Sequence, residues 1–277
     1  MTNESPLKKY KRQPKLYIDL PSQGNFYHQN ALLNGSFTNL PVFSMTASDE
    51  ILFKTPDALF NGESTANCIK SCIPSILDPW NVPTVDIDTI LVAIRMATYG
   101  PTLSVTQECP KCKSDNAYDL PLNAYIDHYQ GKTYRDRVEI DEFTFFLRPL
   151  TYRENTENQK RLMQLRRTIN MILTTYKDDE AKKEEMLDAT YKEIANLSLD
   201  TILKSVKAIS VNGEVEEDKV EILEFFESNE AKYFKQIKET IEKNVTEWSN
   251  LKHNVKCTSC EAENELSVNL DQSDFFA

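Results

Sequence analysis

The sequence predicts an α+β fold: an N-terminal mixed α/β part with paired CxxC knuckles on short, zinc-ribbon-like β-hairpins, plus a large helical insertion. Two observations predict it. A CxxC motif at Cys109 and Cys112 recurs at Cys257 and Cys260, and alternating apolar and polar residues follow each copy. Between the two copies, from residue 151 to 252, apolar residues recur at helical spacing.

The first fifteen residues hold five basic side chains and one acidic one, whereas residues 213–247 hold eleven acids and five bases. We predict that residues 1–15 form a flexible basic arm. Two interpretations stay open: the arm is a solvated tail, or it is attracted to the acidic surface of another subunit.

Residues 16–150 form the predicted mixed domain. The segment LYIDLPSQGNFY contains a turn signal at Pro21 and Gly24. In LPVFSMTASDEILF, apolar and polar residues alternate loosely, which predicts an edge strand. A helix is expected to begin at Thr55, with Pro56 in its first turn. Gly62 interrupts this helix, which begins again directly afterwards and stops before Pro74.

A second helix is predicted before the first knuckle. Its apolar face holds Ile87, Ile90, Leu91, Ile94 and Ala97, and Gly100-Pro101 is the expected stop. After the knuckle, VEIDEFTFFLRPL (residues 138–150) predicts two strands joined at Asp141-Glu142.

The helical insertion, residues 151–252, carries three apolar stripes that we interpret as helix-packing faces rather than a cofactor site. Asn212-Gly213 predicts a turn between the second stripe and the third. Residues 253–277 are expected to supply the second knuckle and a C-terminal strand that returns to the N-terminal domain. The stripes are Leu162, Leu165, Ile169, Ile172 and Tyr176; Leu187, Tyr191 and Ile194; and Phe234, Ile237, Ile241, Val245 and Trp248.

The four cysteines of the two knuckles, Cys109, Cys112, Cys257 and Cys260, predict a site for one tetrahedral Zn²⁺. Four thiolates leave no position for water or substrate, so the site is predicted to be structural. Iron in the same four-thiolate geometry is the competing metal, and four unliganded cysteines are the alternative to a metal. A third reading has His253 in place of one thiolate.

Both knuckles carry an asparagine four residues after the second cysteine, Asn116 and Asn264. The 144 residues between Cys112 and Cys257 exceed the spacing of a compact ribbon. The matched asparagines and flanking strands nevertheless favour one unit used twice.

Catalytic chemistry is not predicted. The sequence contains no GxxxxGK[ST], GxSxG or HExxH motif, and its three histidines are scattered. Cys68 and Cys72 share a predicted helix face, which leaves open a metal site, an unusual active site or two core residues; core residues are favoured. No apolar run is long enough to span a membrane, and the net charge of −11 disfavours general binding of polyanions.

Aromatic residues supply the candidate partner-binding sites. Phe26 and Tyr27 in LPSQGNFY are one pair, since aromatic side chains dominate interface hot spots. Phe275 and Phe276 in DQSDFFA are the other. For each pair the alternative is that the rings cover the protein's own core.

Several short segments carry a family resemblance: LPSQGNFY, MTASDE with TPDALFNGE, IRMATYG, and FTFFLRPLTYRE. Together, over about the first 155 residues, they resemble the baseplate hub and hub-assembly proteins of contractile-tailed phages of the T-even type. The resemblance implies a non-enzymatic protein that acts on other phage tail proteins in the host cytoplasm before lysis. It implies either a baseplate subunit of the virion or an assembly chaperone.

A zinc-ribbon protein that binds nucleic acid is the alternative function. Four lysines flank the knuckles, Lys111, Lys113, Lys252 and Lys256, and a basic face is what nucleic-acid binding requires.

Overall fold

The structure, a computed structural model, describes residues 10–53, 55, 62–177, 179–249, 251–268 and 275–276. The fold is α+β, as the sequence predicts. Contacts divide the chain into two compact units, one of residues 1–132 with 249–277 and the other of residues 133–248. Within the described ranges, no helix has the length and apolar character needed to cross a membrane.

In chain order, the strands are β1 (Leu16–Ile18), β2 (Leu40–Val42), β3 (Thr102–Glu108), β4 (Asp115–Pro121), β5 (Arg137–Ile140), β6 (Phe143–Leu147), β7 (Val206–Val211), β8 (Glu214–Glu216), β9 (Lys252–Lys256) and β10 (Glu263–Ser267). The helices are α1 (Ala47–Phe53), α2 (Glu63–Cys72), α3 (Thr84–Tyr99), α4 (Asn123–Tyr129), α5 (Tyr152–Thr175), α6 (Glu180–Ser205), α7 (Lys219–Ser228) and α8 (Ala231–Glu247).

The predicted edge strand at residues 40–53 is only partly correct, because β2 ends at Val42 and residues 47–53 form α1. The cause is a reciprocal cap at the start of the helix. The Asp49 carboxylate accepts hydrogen bonds from the Thr46 backbone N–H at 2.7 Å and its hydroxyl at 2.8 Å, while that hydroxyl accepts from the Asp49 N–H. The helix start predicted at Thr55-Pro56 involves residues 56–61, which lie outside the described residues.

Helix α3 is the centre of the first unit and matches the predicted helix. Ile90 and Ile94 on it are fully buried, and Gly100 at φ 99° ends it. The buried carboxylate of Asp86 holds the predicted N-terminal turn against this helix. It accepts hydrogen bonds from the Ser22 backbone N–H (2.8 Å), the Ser22 hydroxyl (2.6 Å) and the Tyr27 hydroxyl (3.0 Å).

The predicted basic arm, residues 1–15, falls largely outside the description, which begins at residue 10. Arg12 has defined contacts: its guanidinium donates to the backbone oxygens of Ser44 and Ser71, both at 2.5 Å. Flexibility of the arm as a whole stays a prediction.

The second unit is built on an antiparallel sheet with the order β5-β6-β7-β8. Strands β5 and β6 are the predicted pair, but β7 and β8 fall in the block predicted to be helical. Asn212 (φ 52°) and Gly213 (φ 87°) form the two-residue turn between them, the conformation that Asn-Gly favours in hairpins. The hairpin at residues 137–147, assigned by sequence to the N-terminal domain, therefore shares a sheet with the insertion.

Helix α5 begins with a capping box. The Thr151 hydroxyl accepts from the Glu154 N–H, and the Glu154 carboxylate accepts from the Thr151 N–H at 2.9 Å. Arg148 contacts both oxygens of the same carboxylate, at 2.6 and 2.8 Å. These contacts fix the passage from β6 into the helices.

The predicted helix stripes are correct where the helices meet the sheet. Ile237 is buried in the cluster that covers the sheet. Ile172 is buried too, near the C-terminal end of α5, but is not part of that cluster. Tyr191 is 54 % exposed and Val245 67 % exposed, so these two assignments were wrong. On α8, the buried residue in place of Val245 is its polar neighbour, Asn244.

Asn244 joins the two ends of the second unit. Its side-chain oxygen accepts from the Arg135 backbone N–H at 3.0 Å, and its amide donates to the Arg135 carbonyl at 3.1 Å. The Arg135 guanidinium also pairs with Glu247 at 2.6 Å. The point where the chain enters the unit and the helix by which it leaves are therefore adjacent.

Candidate metal centre

Two hairpins carry the CxxC knuckles. Strands β3 and β4 pair from Thr102↔Pro121 to Glu108↔Asp115, and β9 and β10 pair from Ser267↔Lys252 to Glu263↔Lys256. In each hairpin the cysteine turn follows directly after the last pair of the ladder. The predicted strand after each knuckle is thus present, together with a strand before it.

The first knuckle is closed by two backbone hydrogen bonds. The Cys109 N–H donates to the Ser114 carbonyl at 2.9 Å, and the Lys113 N–H donates to the Cys109 carbonyl at 2.9 Å. Lys113, directly after the second cysteine, has a φ of 62°.

The second knuckle repeats this geometry. The Cys257 N–H donates to the Ala262 carbonyl at 2.9 Å, the Glu261 N–H donates to the Cys257 carbonyl at 3.0 Å, and Glu261 has a φ of 56°. The two turns therefore share one backbone conformation, as the matching sequences predict.

The four sulfur atoms converge, and all lie within 4.8 Å of one another. Cys109 Sγ is 3.8 Å from Cys260 Sγ, and Cys112 Sγ is 3.6 Å from Cys257 Sγ. A Zn–S bond of about 2.3 Å in a tetrahedron gives a sulfur–sulfur edge of about 3.8 Å. Both of these distances are between a sulfur of one knuckle and a sulfur of the other. The four sulfurs therefore fit one tetrahedral ion.

The surroundings of Cys109 and Cys257 favour the thiolate that a metal requires. At Cys260 the Ala262 N–H lowers the pKa of the thiol, but burial and the neighbouring cysteine sulfurs outweigh it and raise this pKa to about 12. The Ser114 hydroxyl lies 3.5 Å from Cys257 Sγ, and with the N–H groups of Cys260 and Ser259 it lowers the pKa of the Cys257 thiol to about 5. The Cys112 N–H is the main cause of a lowered pKa at Cys109. Deprotonated thiols are the metal-binding form of cysteine.

The two matched asparagines connect the knuckles. Asn116 is buried, and its side-chain oxygen accepts from the backbone N–H and the hydroxyl of Thr258, in the opposite knuckle. Asn264 returns the contact, with its amide 3.7 Å from Cys109 Sγ. Each asparagine therefore supports the half-site that its own hairpin does not supply.

The other candidate ligands lie apart from this cluster. The only group of three or more His, Cys, Asp and Glu side chains positioned for a metal within the described part of the chain is the four-cysteine cluster. His253 instead packs its ring 5.2 Å from that of Tyr125. Cys68 and Cys72 are fully buried on α2 with their sulfurs 3.9 Å apart, as expected of core residues.

Comparison with protein families supplies the identity. A family model described as "T4 bacteriophage base plate protein" matches residues 44–277. This chain belongs to that family. The match includes the helical insertion, to which the resemblance seen in the sequence did not extend, and begins after LPSQGNFY. Searches of the curated proteins and of the solved structures found no match.

Membership makes the chain a structural phage tail protein whose partners are other tail proteins. The aromatic pairs predicted to contact such partners have contacts within the baseplate protein itself. Phe26 and Tyr27 are half-buried; Phe275 and Phe276 are buried, the latter stacked on Phe53 with ring centroids 4.8 Å apart. Packing against the chain's own core thus describes the second pair, and partner contact by any of the four stays a prediction.

Three of the four lysines around the knuckles of the baseplate protein, all except Lys111, face acids. Lys113 pairs with Glu108 at 3.1 Å, Lys256 pairs with Glu263 at 3.5 Å, and Lys252 pairs with Glu265. Neutralised cations contribute little to phosphate binding, so this surface does not favour the nucleic-acid alternative.

Proposed function

We propose that this baseplate protein is a non-enzymatic hub subunit or hub-assembly chaperone whose four cysteines hold one structural Zn²⁺. It works through contacts with other tail proteins in the host cytoplasm before lysis. The observation that carries the proposal is the convergence of the four sulfurs from two knuckles 144 residues apart. A closed four-thiolate site joins segments of chain and has no position for a substrate.

Zinc is favoured over iron by the kind of site. The knuckles use backbone N–H groups, a serine hydroxyl and asparagines to stabilise thiolates, and Zn²⁺ with four thiolates is the usual structural site of this type. Structural zinc contributes roughly 10–16 kcal/mol in isolated finger peptides, comparable with the whole stability of a domain, about 5–15 kcal/mol. One ion is therefore sufficient to join the two hairpins.

Elemental analysis tests the metal. Protein purified without added metal is expected to contain one zinc per chain, and to be colourless. One iron per chain, with charge-transfer absorption in the visible region, would show that the site holds iron instead of zinc. A chain with neither metal would remove the site from the proposal.

Quantitative mass spectrometry of purified particles and of assembly intermediates tests the role. A hub subunit is expected in both, at a fixed ratio to other tail proteins. A hub-assembly chaperone is expected in the intermediates and absent from the particles. Absence from both would contradict the proposal.

A further inference from the structure

A groove on the second unit has no role in the proposed function. It lies between the β7–β8 hairpin and α7 and has a volume of about 480 Å³. Its apolar lining includes Phe143, Ile209 and Phe225, and the rings of Phe143 and Phe225 meet edge to face at 5.0 Å. Both rings are only partly buried, so apolar surface remains open to a ligand.

Strand β8 forms one side of this groove and is an edge of the sheet. In the order β5-β6-β7-β8, no described strand pairs with its outer side. All three of its residues are exposed, including Val215 at 57 %. Open strand edges accept extended peptides through backbone hydrogen bonds.

The rim of the groove is acidic. Glu214, Glu216, Glu221 and Glu224 line it, and every one of them is exposed. Among the described residues, no lysine or arginine forms an ion pair with any of these four carboxylates. The groove therefore combines an apolar floor, an open strand edge and negative charge without a counter-ion, and it suits an extended basic segment.

The sequence contains one segment with this chemistry. Residues 6–11, PLKKYK, include three cations in four consecutive positions and lie directly before Arg12, whose guanidinium is bound within its own chain. Fully extended, the four residues 8–11 span about 14 Å, close to the length of the ten-residue α7, about 15 Å.

We propose that the acidic groove between β8 and α7 binds the basic N-terminal segment, residues 6–11, of a second copy of this chain. The contact is heterologous, since the two copies use different surfaces, and it therefore links copies head to tail into a ring or a row. The groove shares no residue with the four-cysteine site, so its binding is measured independently of the metal content and of the particle analysis.

Binding of a synthetic peptide tests the groove. The probe is fluorescein-labelled ESPLKKYK (residues 4–11), and the receptor is the full chain with Lys8→Glu and Lys9→Glu, so that its own segment does not compete. Saturable binding is expected by fluorescence anisotropy, and it should weaken as NaCl is raised. Adding Glu221→Gln with Glu224→Gln should weaken binding at least tenfold.

The matched control is Glu239→Gln with Glu242→Gln, which removes the same charge from α8 and should change binding less than twofold. Equal weakening by both pairs would show attraction to net charge alone and would overturn the proposal. So would absence of binding. Circular dichroism establishes that each variant is folded.

Sedimentation velocity of the full chain tests the second copy. The wild-type mass is expected to rise with concentration, and Lys8→Glu with Lys9→Glu should abolish the rise. Adding Glu221→Lys with Glu224→Lys to that variant should restore it, because the charges are exchanged. The proposal would be overturned if the wild-type protein stayed monomeric at protein concentrations that saturate peptide binding. It would also be overturned if the charge exchange did not restore the concentration-dependent rise in mass.

Discussion

The side-chain oxygen of Asn116 accepts two hydrogen bonds from Thr258, one from its backbone N–H at 2.8 Å and one from its hydroxyl at 2.7 Å. The two residues are 142 positions apart in the chain. This contact joins the knuckles through the protein itself, in addition to any bound ion, and it can be removed without touching a cysteine.

Asn116→Ala is expected to lower both stability and metal affinity. It removes two hydrogen bonds to Thr258, an exposed residue whose donors water can then satisfy, so the loss of stability should be roughly 1 kcal/mol. Loss of such outer contacts typically weakens metal binding 10- to 100-fold. Chelator competition and thermal unfolding measure the two effects. Asn254→Ala, an exposed asparagine on β9, is the control and should change neither.

Cys257→Ser is expected to abolish stoichiometric zinc and to lower the melting temperature. Because the C-terminal hairpin then loses its attachment, hydrogen exchange should increase first in residues 252–267. A chelator should produce the same pattern in the wild type. Cys68→Ala is the matched control, since that cysteine lies outside the cluster; it should retain one zinc per chain even if it loses stability.

Glu154→Gln is expected to destabilise the protein at neutral pH. Burial raises the pKa of Glu154, but hydrogen bonds from Arg148 and Thr151 outweigh it and lower this pKa to about 2. Because the folded pKa lies below the unfolded one, the stabilisation is present above about pH 4.5 and is lost as the pH falls towards 2. The loss in the variant should be roughly 2–3 kcal/mol at pH 7.

Urea unfolding between pH 7 and pH 3 measures this effect, with Glu157→Gln, an exposed neighbour on α5, as control. Metal loss at low pH affects all the chains alike, so the comparison is between variants. The gap between wild type and Glu154→Gln should narrow as the pH falls. A constant gap would mean that the Arg148 contact contributes nothing through charge.

Asp86 has the opposite pH dependence. Burial raises the pKa of its carboxyl to about 6, above the unfolded value of about 3.9. Between about pH 4 and pH 6 the folded state therefore binds more protons than the unfolded state, and stability falls as the pH rises. Asp86→Asn removes this charge while retaining an acceptor for the Ser22 N–H.

The stability of Asp86→Asn relative to wild type is therefore expected to increase from pH 4 to pH 6.5. Urea midpoints at matched zinc concentration measure it. Asp127→Asn, at an exposed position of α4, should follow the wild-type curve. If the stability of Asp86→Asn has the same pH dependence as that of the wild type, the Asp86 carboxyl is not protonated between pH 4 and pH 6.5.

The metal centre was predictable because its signal is local and duplicated. Two CxxC turns with Asn116 and Asn264 at the same offset specify one conformation twice, and thiolate chemistry requires the halves to meet. The contact from Asn116 to Thr258 was not predictable, because it depends on the orientation of one hairpin on the other. Ser114 was missed for the same reason: nothing in its neighbourhood indicates that its hydroxyl faces Cys257.

The second unit shows the limit of periodicity. Asn212-Gly213 was identified as a turn, yet β7 and β8 were not identified as strands, because β7 is completed by pairing with β6 some sixty residues earlier. Long-range pairing leaves no local pattern. The Thr46–Asp49 cap, by contrast, has a local sequence signal in TASD. The loose alternation of apolar residues in the same segment led instead to the prediction of a strand.

The Asn244 contacts with Arg135 have a consequence for the order of events during synthesis. Closing a loop of 144 flexible residues costs about 4 kcal/mol in chain entropy, and the cost grows with the logarithm of loop length. Once the inserted unit has folded, its ends are adjacent, and only the short segments outside it remain to be ordered, which lowers the cost by about 1 kcal/mol. The folded insertion then brings Cys257 and Cys260 close to Cys109 and Cys112, which are synthesised earlier.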